Sequence, residues 1–536
     1  MRELLEPIDV LSRYPAHGGT LNSILASRAQ SIPEREFLAF QQSSLSYRQV
    51  ERLVGRAAAM FATKGVGPGD RLGLMSQNHP STAITLFALA RLGAIAVPIN
   101  PDFLHEEVAY VLSHAQVSGV LCSPDCLGTV EQACGTLSRT PWLMLNEPGP
   151  AGWPTFDREI EAAPDTAPLD PGQPDSTCVF IYSSGTTGFP KGVMHAQRTL
   201  VLSGEGFVQR MYLQPDDRLM CIMPMFHVNA IFYSLCGALA AGASLILMPR
   251  FSASSFWRDV KGTGATEVNT IAAISNILMR RPRSEFEPDH NLRSVYGGPF
   301  NAEVYRVFKG DFGVATLIEG YGMTEIPGVL SNPFPGPHKI GGMGIPSRHP
   351  DPNVRLAEVR IVDDEFGEVE CGQTGQLIVR TPLVMQGYYR EPEQTRATFR
   401  DGWFLTGDLA WRDDEGYCWF VARTKDIIRR RGENISAAEI DRVIGEHPDV
   451  LLAAAIPVPS PLGEDDILAA VVPREGAALT SHEVADWCRS RLARVKVPRY
   501  VAIVKSLPQN RSFRVEKFKL RADAAALIRI ATDLSP

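Results

Sequence analysis

The chain has 536 residues, which exceeds the size of one ordinary hydrophobic core, so about three or four structural units are expected. Its 44% hydrophobic and 21% charged residues are typical of a soluble globular protein. The formal charge of −7 argues against a surface that coats nucleic acid.

The first residues, MRELLEPIDVLSRYP, carry acidic and basic side chains and no uninterrupted apolar segment, so no signal peptide is predicted. The spacing of the nine cysteines along the chain does not suggest disulfide pairs. Cys122 and Cys126 are the closest pair, but neither a second pair nor a histidine follows at zinc-ligand spacing. Reduced thiols in a cytoplasmic protein are the simplest interpretation.

The first part of the chain alternates between strand and helix patterns. Residues 71–75 are predicted to form a strand, residues 81–92 a helix that ends at Gly93, and residues 94–99 a second strand. A strand, a helix and a strand in this order form a βαβ unit, which places helices over a parallel sheet.

Residues 181–192, IYSSGTTGFPKG, follow an apolar run and combine hydroxyl side chains with glycines and a lysine. Glycines let backbone N–H groups turn toward an anion, and the hydroxyls and Lys191 add further donors. The segment lacks the GxxxxGK[ST] pattern of the common P-loop. It predicts a different loop that wraps the phosphates of a nucleotide.

The βαβ pattern returns about 150 residues after the first copy, with strands over 218–223 and 244–248. Between them, the uncharged segment 230–248 is nearly long enough to span a bilayer. Because Gly242 divides this segment, we predict a buried helix followed by a buried strand. Two βαβ units at this separation indicate two similar α/β subdomains.

After about residue 340 the pattern changes to short alternating stretches, such as 354–362 and 375–379, separated by Gly, Pro and Asp turns. This pattern predicts a smaller, mostly antiparallel β unit. Beyond Thr424 the chain returns to α/β, with helices over 436–445 and 482–495 and strands over 453–458 and 467–472. Ser436 followed by Glu439 is a capping-box signature.

Further motifs contain side chains that are suited to binding or catalysis. His227 and Asn229 follow a strand, where polar side chains meet a crevice at the edge of a parallel sheet. The segment 320–325, GYGMTE, offers an aromatic face for a purine, a hydroxyl and a carboxylate that could hold Mg²⁺. Asp408 ends the segment WFLTGD, with a carboxylate suited to bridging two ribose hydroxyls.

Taken in this order, these motifs resemble those of the adenylate-forming superfamily over residues 20–525, and particularly acyl-CoA ligases similar to carnitine/crotonobetaine CoA ligases. The resemblance implies activation of a carboxylate by ATP to an acyl-adenylate, followed by transfer of the acyl group to CoA, with Mg²⁺ as a cofactor. It also implies an N-terminal domain over 1–424, made of two α/β subdomains and a β-barrel-like subdomain over about 340–424. A small mobile α/β domain over 425–536 would rotate between the two half-reactions, and a homodimer is expected by analogy.

The resemblance also assigns roles by position. Tyr321 would stack on adenine, Thr324 would contact the α-phosphate, and His227 would close the acyl pocket. Glu325 would bind Mg²⁺ and take part in catalysis. The β- and γ-phosphates would be held by Ser183, Ser184, Gly185, Thr186, Thr187, Gly188 and Lys191. The remaining contacts to the nucleotide or the acyl group would come from Gly297, Gly298, Glu319, Gly320, Gly322, Met323, Asp408 and Arg423. Lys425 would be the hinge of the C-terminal domain, and Gly432 would line the pantetheine tunnel.

One position departs from the family pattern. The C-terminal motif usually reads P-x-T-x-S-G-K-x-x-K-x-x-L-R, whereas this chain reads PQNRSFRVEKFKLR, which places Arg514 at the adenylation lysine and Phe513 at the preceding glycine. A guanidinium is a wide planar fork rather than a compact charge. Because a misplacement of about 1 Å can cost about a hundredfold in rate, weakened adenylation is expected.

Several hypotheses about the function remain open. The chain is a complete acyl-CoA ligase in which Arg514 works, or Lys517 or Lys519 replaces it. Alternatively, it only thioesterifies an acyl-AMP that a separate adenylating enzyme supplies. A stand-alone enzyme that loads a carrier protein, a luciferase-type oxidase and a non-catalytic nucleotide sensor are further alternatives. The apolar or small residues near the pocket favour a hydrophobic or bulky acid.

Overall fold

The computed structural model describes residues 4–164, 172–183, 190–430, 433–460, 464–509 and 515–534. The chain divides into a larger unit, residues 1–358 with 379–404, and a smaller unit, residues 359–378 with 405–536. Both units combine helices with sheets. The predicted α/β class is therefore confirmed, while the predicted boundary at Lys425 stays a prediction.

The larger unit contains two sheets, each with a parallel centre, as the two βαβ patterns predicted. The first sheet consists, in spatial order, of Gly387–Tyr388, Lys191–Ala196, Thr177–Ser183, Ile95–Pro98, Arg71–Met75, Gly119–Cys122 and Trp142–Leu145. The second consists of Ile345–Pro346, Ile326–Ser331, Thr316–Met323, Ser294–Gly297, Glu267–Asn269, Arg218–Cys221, Ser244–Leu247, Glu36–Phe40 and Ser43–Ser46.

The α-helices of the larger unit precede, connect or follow these strands in the chain, and all except Pro392–Ala397 bury apolar side chains. They are Pro7–Ser12, Leu21–Ser31, Tyr47–Thr63, Pro80–Arg91, His105–Ala115, Leu127–Cys134, Phe156–Ala162, Gln197–Met211, Cys236–Ala241, Phe256–Thr263, Ala272–Arg280, Ala302–Arg306 and Pro392–Ala397.

The first predicted βαβ unit is observed with small shifts at its ends. Arg71–Met75 and Ile95–Pro98 pair in parallel, and Pro80–Arg91 connects them. The helix begins at Pro80 because proline suits the first helical position and the His79 side chain accepts a hydrogen bond from the N–H of Ser81 at 3.2 Å.

The second copy differs from the prediction in its helix. Residues Asn229–Leu235 form a π-helix before the α-helix Cys236–Ala241. Gly242 ends the α-helix in the left-handed region with φ of 69°, and a Cβ there would meet the Tyr14 hydroxyl at 1.9 Å. The strand Ser244–Leu247 follows, so the division of this segment at Gly242 is as predicted.

A five-stranded sheet lies within residues 358–423, where short antiparallel strands were predicted. Its strands are Glu358–Val362, Gly375–Arg380, Trp403–Arg412, Phe399–Arg400 and Cys418–Arg423. The last two both pair antiparallel with Trp403–Arg412.

The C-terminal part of the smaller unit contains a hairpin, a four-stranded sheet and helices. The hairpin is Ile427–Arg430 with Glu433–Ser436, and the sheet is Val450–Pro459, Asp465–Pro473, Tyr500–Ile503 and Thr532–Asp533. The helices are Ala437–Gly445, Ser481–Arg489, Lys517–Ala522 and Ala524–Ile530.

One predicted helix in this part is too long. The helix predicted over 482–495 ends at Arg489. The carbonyls of Val495 and Val497 instead accept hydrogen bonds from Arg430 at 2.9 and 2.8 Å, which fixes this segment to the hairpin. A separate 3₁₀ turn, Arg494–Lys496, lies in the remainder of the predicted helix.

Two further sequence predictions concern membranes and thiols. None of the helices in the described residues combines the length and hydropathy needed to cross a membrane. All nine cysteines are free thiols; eight are buried and Cys371 is exposed.

Candidate active site

The predicted phosphate loop lies between two antiparallel strands of the larger unit. Ser183 ends one strand and pairs with Lys191, which begins the next. Five predicted residues between them lie outside the described residues: Ser184, Gly185, Thr186, Thr187 and Gly188. The hairpin thus brings the two ends of the predicted loop together.

Lys191 and Glu325 both contact Tyr388. The Lys191 Nζ lies 5.1 Å from the centre of the Tyr388 ring. The Tyr388 hydroxyl donates a hydrogen bond of 2.8 Å to Oε1 of Glu325. A lysine from the predicted phosphate loop and a carboxylate from the GYGMTE motif therefore share one tyrosine.

The segment Gly320–Glu325 forms the end of the strand Thr316–Met323 and the turn after it. His195, which is fully buried, hydrogen-bonds through Nε2 to the carbonyl oxygen of Thr324 at 2.7 Å. A carbonyl only accepts, so Nε2 carries the proton. Burial lowers the pKa of His195 to about 4, against the opposing effect of this hydrogen bond, so the ring is neutral at pH 7. His195 therefore fixes the backbone at Thr324.

Tyr321, Gly320, Gly322 and Met323 lie on this strand beside the neighbouring strand Ile326–Ser331. A Cβ on Gly322 would meet the backbone N of Gly328 at 2.3 Å. The close approach of the two strands therefore requires glycine at position 322.

Glu319 is a buried carboxyl group with several donors. The N–H of Phe300 donates to it at 2.7 Å, and the N–H of Gly341 and the hydroxyl of Tyr305 donate at 3.1 and 3.2 Å. Burial raises the pKa of Glu319 to about 7 although these bonds favour its ionised form. Gly298 packs against it, because a Cβ there would lie 3.1 Å from Cγ of Glu319. The predicted contact residues Glu319 and Gly298 thus lie together.

His227 follows the strand Arg218–Cys221, and its ring lies 4.4 Å from the ring of Phe226. Burial lowers the pKa of His227 to about 4. The imidazole is therefore neutral at pH 7 and can act as a polar wall of a pocket rather than as a cation.

Asn78 holds the segment before His227, and sequence analysis did not identify it. Its amide nitrogen donates to the carbonyls of Met223 and Met248 at 2.9 and 3.0 Å, and its oxygen accepts from the N–H of Met225 at 2.8 Å. One buried side chain thus joins the ends of two parallel strands.

The smaller unit brings together two other predicted residues. Asp408 and Arg423 are cross-strand partners, and Arg423 Nε lies 3.3 Å from Oδ1 of Asp408. Asp408 is 3% exposed, and its N–H donates to the Thr406 hydroxyl at 3.0 Å. The pair presents a carboxylate and a guanidinium side by side, and both groups can form hydrogen bonds with hydroxyl groups.

Three predicted residues lie elsewhere in the smaller unit. Lys425 is the middle residue of the 3₁₀ turn Thr424–Asp426, directly after Arg423. Gly432 and Arg514 lie outside the described residues. Their predicted roles stay predictions.

Sequence analysis missed Tyr388, His195 and Asn78. Each lies outside the recognised motifs and acts through a contact to a motif residue far away in the chain. Of these three residues, only His195 had a signal in the sequence, because it follows Lys191 by four residues on the strand that leaves the predicted phosphate loop.

A magnesium ion, which the family resemblance implies, fits Glu325. Among the described residues, no group of three or more His, Cys, Asp and Glu side chains is arranged to hold a metal. Mg²⁺ usually takes one or two carboxylates together with substrate phosphates, so a single carboxylate suffices. Tyr388 occupies Oε1 of Glu325, while Oε2 has no hydrogen-bond partner among the described residues.

Two family models match the chain. The AMP-binding enzyme model covers residues 25–389, and the model of the AMP-binding enzyme C-terminal domain covers residues 439–514. Together they span most of the chain. This match supports binding of ATP or an acyl-adenylate.

Characterised relatives and a solved structure match nearly the whole chain. It is 32% identical to the sulfoacetate–CoA ligase of Cupriavidus necator, over 94% of this chain and 97% of the relative. It is 31% identical to the crotonobetaine/carnitine–CoA ligase of Salmonella paratyphi B, over 89% and 93%. The crystal structure of the anthranilate CoA ligase AuaEII in complex with anthranoyl-AMP matches with a TM-score of 0.84 and 25% identity, over 98% of this chain and 99% of that one.

Proposed function

The chain belongs to the AMP-binding enzyme family and is an acid–thiol ligase of the adenylate-forming type, and from this premise we propose that it makes a CoA thioester from a hydrophobic or bulky carboxylic acid. In the first half-reaction the carboxylate attacks the α-phosphate of ATP and releases pyrophosphate. In the second, the CoA sulfur attacks the acyl carbonyl carbon and AMP leaves.

The observation that carries the proposal is the linked set around Glu325. Tyr388 orients one oxygen of Glu325, Lys191 lies over the same tyrosine, and His195 fixes the adjacent Thr324. A lysine, a threonine and an oriented carboxylate suit a polyphosphate with its metal ion. Mg²⁺ held by Glu325 would neutralise charge on the phosphates during attack.

The other predicted residues take further roles in the proposed reaction. We assign adenine stacking to Tyr321 and the ribose hydroxyls to Asp408 with Arg423. His227, neutral at pH 7, closes the acyl pocket without competing for the negative charge of the substrate carboxylate. The hinge role of Lys425 and the tunnel role of Gly432 complete the proposal.

The relatives do not identify the acid. Their names give sulfoacetate, crotonobetaine or carnitine, and anthranilate, which differ in charge and size. The proposed class of acid rests instead on the small or apolar residues of the pocket, among them Phe226, Val228, Gly297 and Met323. We propose a cytoplasmic enzyme that acts on a free acid.

A second candidate function is thioesterification alone, with acyl-AMP supplied by a separate adenylating enzyme. Arg514 replaces the family lysine, and the two nearby lysines are already engaged. Lys517 Nζ lies 2.5 Å from Oδ2 of Asp441, and Lys519 Nζ lies 2.6 Å from Oε2 of Glu516. Moving Lys517 would leave the buried carboxyl of Asp441 without its cation, which is costly.

The test compares two reactions of the purified enzyme. One contains an acid, ATP, Mg²⁺ and CoA; the other contains the synthetic acyl-AMP and CoA. Thioester formation in both supports the complete ligase, and formation only from acyl-AMP supports the second candidate. If neither reaction gives a thioester across a broad acid panel, the ligase proposal is refuted. Arg514→Lys is the matched variant, and it should raise the ratio of the first rate to the second by roughly tenfold or more.

A further inference from the structure

Arg210 is a buried cation in the larger unit that the proposed mechanism does not use. It lies on the helix Gln197–Met211 and is 5% exposed. Three aromatic rings surround its guanidinium, with centroids 5.8 Å away for Phe207 and 5.3 Å away for both Tyr233 and Tyr296. We call these three rings the aromatic cage.

The guanidinium is only partly satisfied. Its Nη2 donates to the carbonyl of Gly328 at 2.5 Å and to the hydroxyl of Ser347 at 3.3 Å. Its Nε and Nη1 are buried and have no hydrogen-bond partner among the described residues. Burial raises the pKa of Tyr233, and the neighbouring Arg210 side chain opposes that rise through its charge and hydrogen bonding.

Among the described residues, no carboxylate forms a direct ion pair with Arg210. Buried charges are almost always paired, because their lost hydration must be replaced. Cation–π attraction to the cage replaces part of it but leaves the two N–H directions without acceptors. An anionic group beside Nη1 would accept a charge-assisted hydrogen bond from it and balance the buried positive charge.

The residues around Arg210 belong to segments that are proposed to line the acyl pocket. Tyr233 lies on the π-helix that follows His227, and Tyr296 directly precedes Gly297. A Cβ on Gly320 would meet the Tyr296 hydroxyl at 2.4 Å, so this ring also contacts the GYGMTE strand. Arg210 thus lies among the three segments proposed to line the acyl pocket.

Gly328 gives the guanidinium its space. A Cβ at this position would lie 2.4 Å from Nη2 and 2.7 Å from Nη1 of Arg210. Gly328 is also in the left-handed region with φ of 60°. The absence of a side chain on the strand Ile326–Ser331, next to Gly322, therefore lets Arg210 reach toward the pocket.

We propose that Arg210 binds a second anionic group, a carboxylate or a sulfonate, at the end of the acyl substrate opposite its reacting carboxyl group. This inference rests on the proposed function and narrows its substrate class. The aromatic cage contacts the apolar body of the acid next to that group. An acid of this kind would be bound at both ends, the reacting end by the adenylation centre and the distal end by Arg210.

The experiment compares acids that carry a distal anionic group with partners that lack one. The probes are succinate and terephthalate, each with its monomethyl ester, and 4-sulfobenzoate with benzoate. Each is supplied as the acid with ATP and CoA and as the pre-formed acyl-adenylate with CoA, so that weak adenylation does not hide the result. In at least one pair, kcat/KM for the acid with the distal anion should exceed that of its neutral partner by roughly a hundredfold.

Three variants assign that preference to Arg210. Arg210→Met should reduce the ratio within the pair to within about threefold, and Arg210→Lys should restore part of it, since it keeps the charge but not the planar guanidinium. Arg28→Met removes another buried arginine, which stacks on Tyr14 at 3.9 Å, and should keep the wild-type ratio. Melting temperatures report whether each variant folds.

The outcomes separate the two proposals. Thioester formation with equal kcat/KM for both members of every pair would overturn the role of Arg210 and leave the ligase function intact. A preference that survives in folded Arg210→Met would do the same. If no probe or other acid gives thioester in either format, the ligase function fails and this inference fails with it. If Arg210→Met does not fold, the wild-type ratios of kcat/KM within each pair still show whether a distal anionic group is preferred.

Discussion

The contact between His195 and Thr324 is a single hydrogen bond next to the residues proposed to bind the phosphates. His195 Nε2 donates to the Thr324 carbonyl at 2.7 Å from a fully buried position. Because this bond holds the backbone beside Glu325, its loss would shift the residues proposed to contact the phosphates.

Replacing His195 should therefore slow the enzyme without unfolding it. We expect His195→Leu to lower kcat/KM for ATP by roughly tenfold to a hundredfold, since small displacements at the reacting groups are costly. His195→Gln is the matched control, because its amide nitrogen can donate at nearly the same place as Nε2. Equal rates for the two variants in a steady-state assay would contradict the assigned role.

The Tyr388 hydroxyl provides a second test at one residue. Tyr388→Phe keeps the ring beside Lys191 but removes the hydrogen bond of 2.8 Å to Glu325. Groups that orient a metal ligand typically contribute roughly tenfold to a hundredfold in metal affinity. We expect the Mg²⁺ concentration at half-maximal rate to rise by about tenfold in a magnesium titration. An unchanged titration curve would show that the hydroxyl does not orient the carboxylate.

Asn78 shows how one side chain joins separate elements. It bonds the ends of the strands Arg218–Cys221 and Ser244–Leu247 and so positions the turn that leads to His227. Asn78→Asp keeps an acceptor for Met225 but loses both donors and buries a carboxyl group. A buried acceptor without its donor costs about 1–3 kcal/mol, so we expect the free energy of unfolding, measured in urea, to fall by about 3 kcal/mol. A decrease below about 0.5 kcal/mol would contradict this account.

The Glu205 carboxylate links three parts of the chain through its contacts with two histidines. Its two oxygens contact His17 and His349 at 3.0 and 3.2 Å, which links the N-terminal segment to the helix Gln197–Met211 and to the turn after Ile345–Pro346. Burial would raise the pKa of Glu205, but the hydrogen bonds to the histidines outweigh it and lower the pKa to about 2 from an ordinary value of 4.5.

This pKa predicts a specific pH dependence of stability. Because the pKa is lower in the folded protein, the stabilisation is present above pH 4.5 and is lost as the pH falls toward 2. The shift corresponds to about 3 kcal/mol. We expect wild type to be more stable than Glu205→Gln at about pH 6, and the difference in unfolding free energy to shrink below about pH 4. A constant difference across this range would show that Glu205 does not titrate as described.

The sequence predicted elements best where the local pattern and the tertiary contacts agree. Arg71–Met75 and the division at Gly242 were found because apolar runs and glycine act locally. The helix over 482–495 was predicted too long, because it ends at Arg489 and a separate 3₁₀ turn, Arg494–Lys496, follows it. Motif residues such as Glu325 were found from the resemblance. Their partner Tyr388 was not, since it lies 63 residues away.

At the scale of the whole molecule, the smaller unit carries the departure from the family pattern. It contains Asp408, Arg423 and Arg514, whereas Glu325 and His227 belong to the larger unit. The resemblance implies that the C-terminal domain moves between the half-reactions about Lys425. A change at this hinge should therefore affect the two steps differently.

Lys425→Pro tests that hinge, because proline fixes φ near −65° and restricts the preceding residue as well. We expect the rate from acyl-AMP and CoA to fall by roughly tenfold relative to Lys425→Ala, which removes the same side chain but leaves the backbone free. Rates are compared with both substrates saturating. Equal rates for the two variants would argue against rotation at this position.

Because Cys371 alone among nine thiols is exposed, the native chain offers one handle for a maleimide dye. A single fluorophore could be attached to residues 359–378 without first replacing the other cysteines, and its anisotropy would report how freely that segment tumbles when nucleotide or CoA is added.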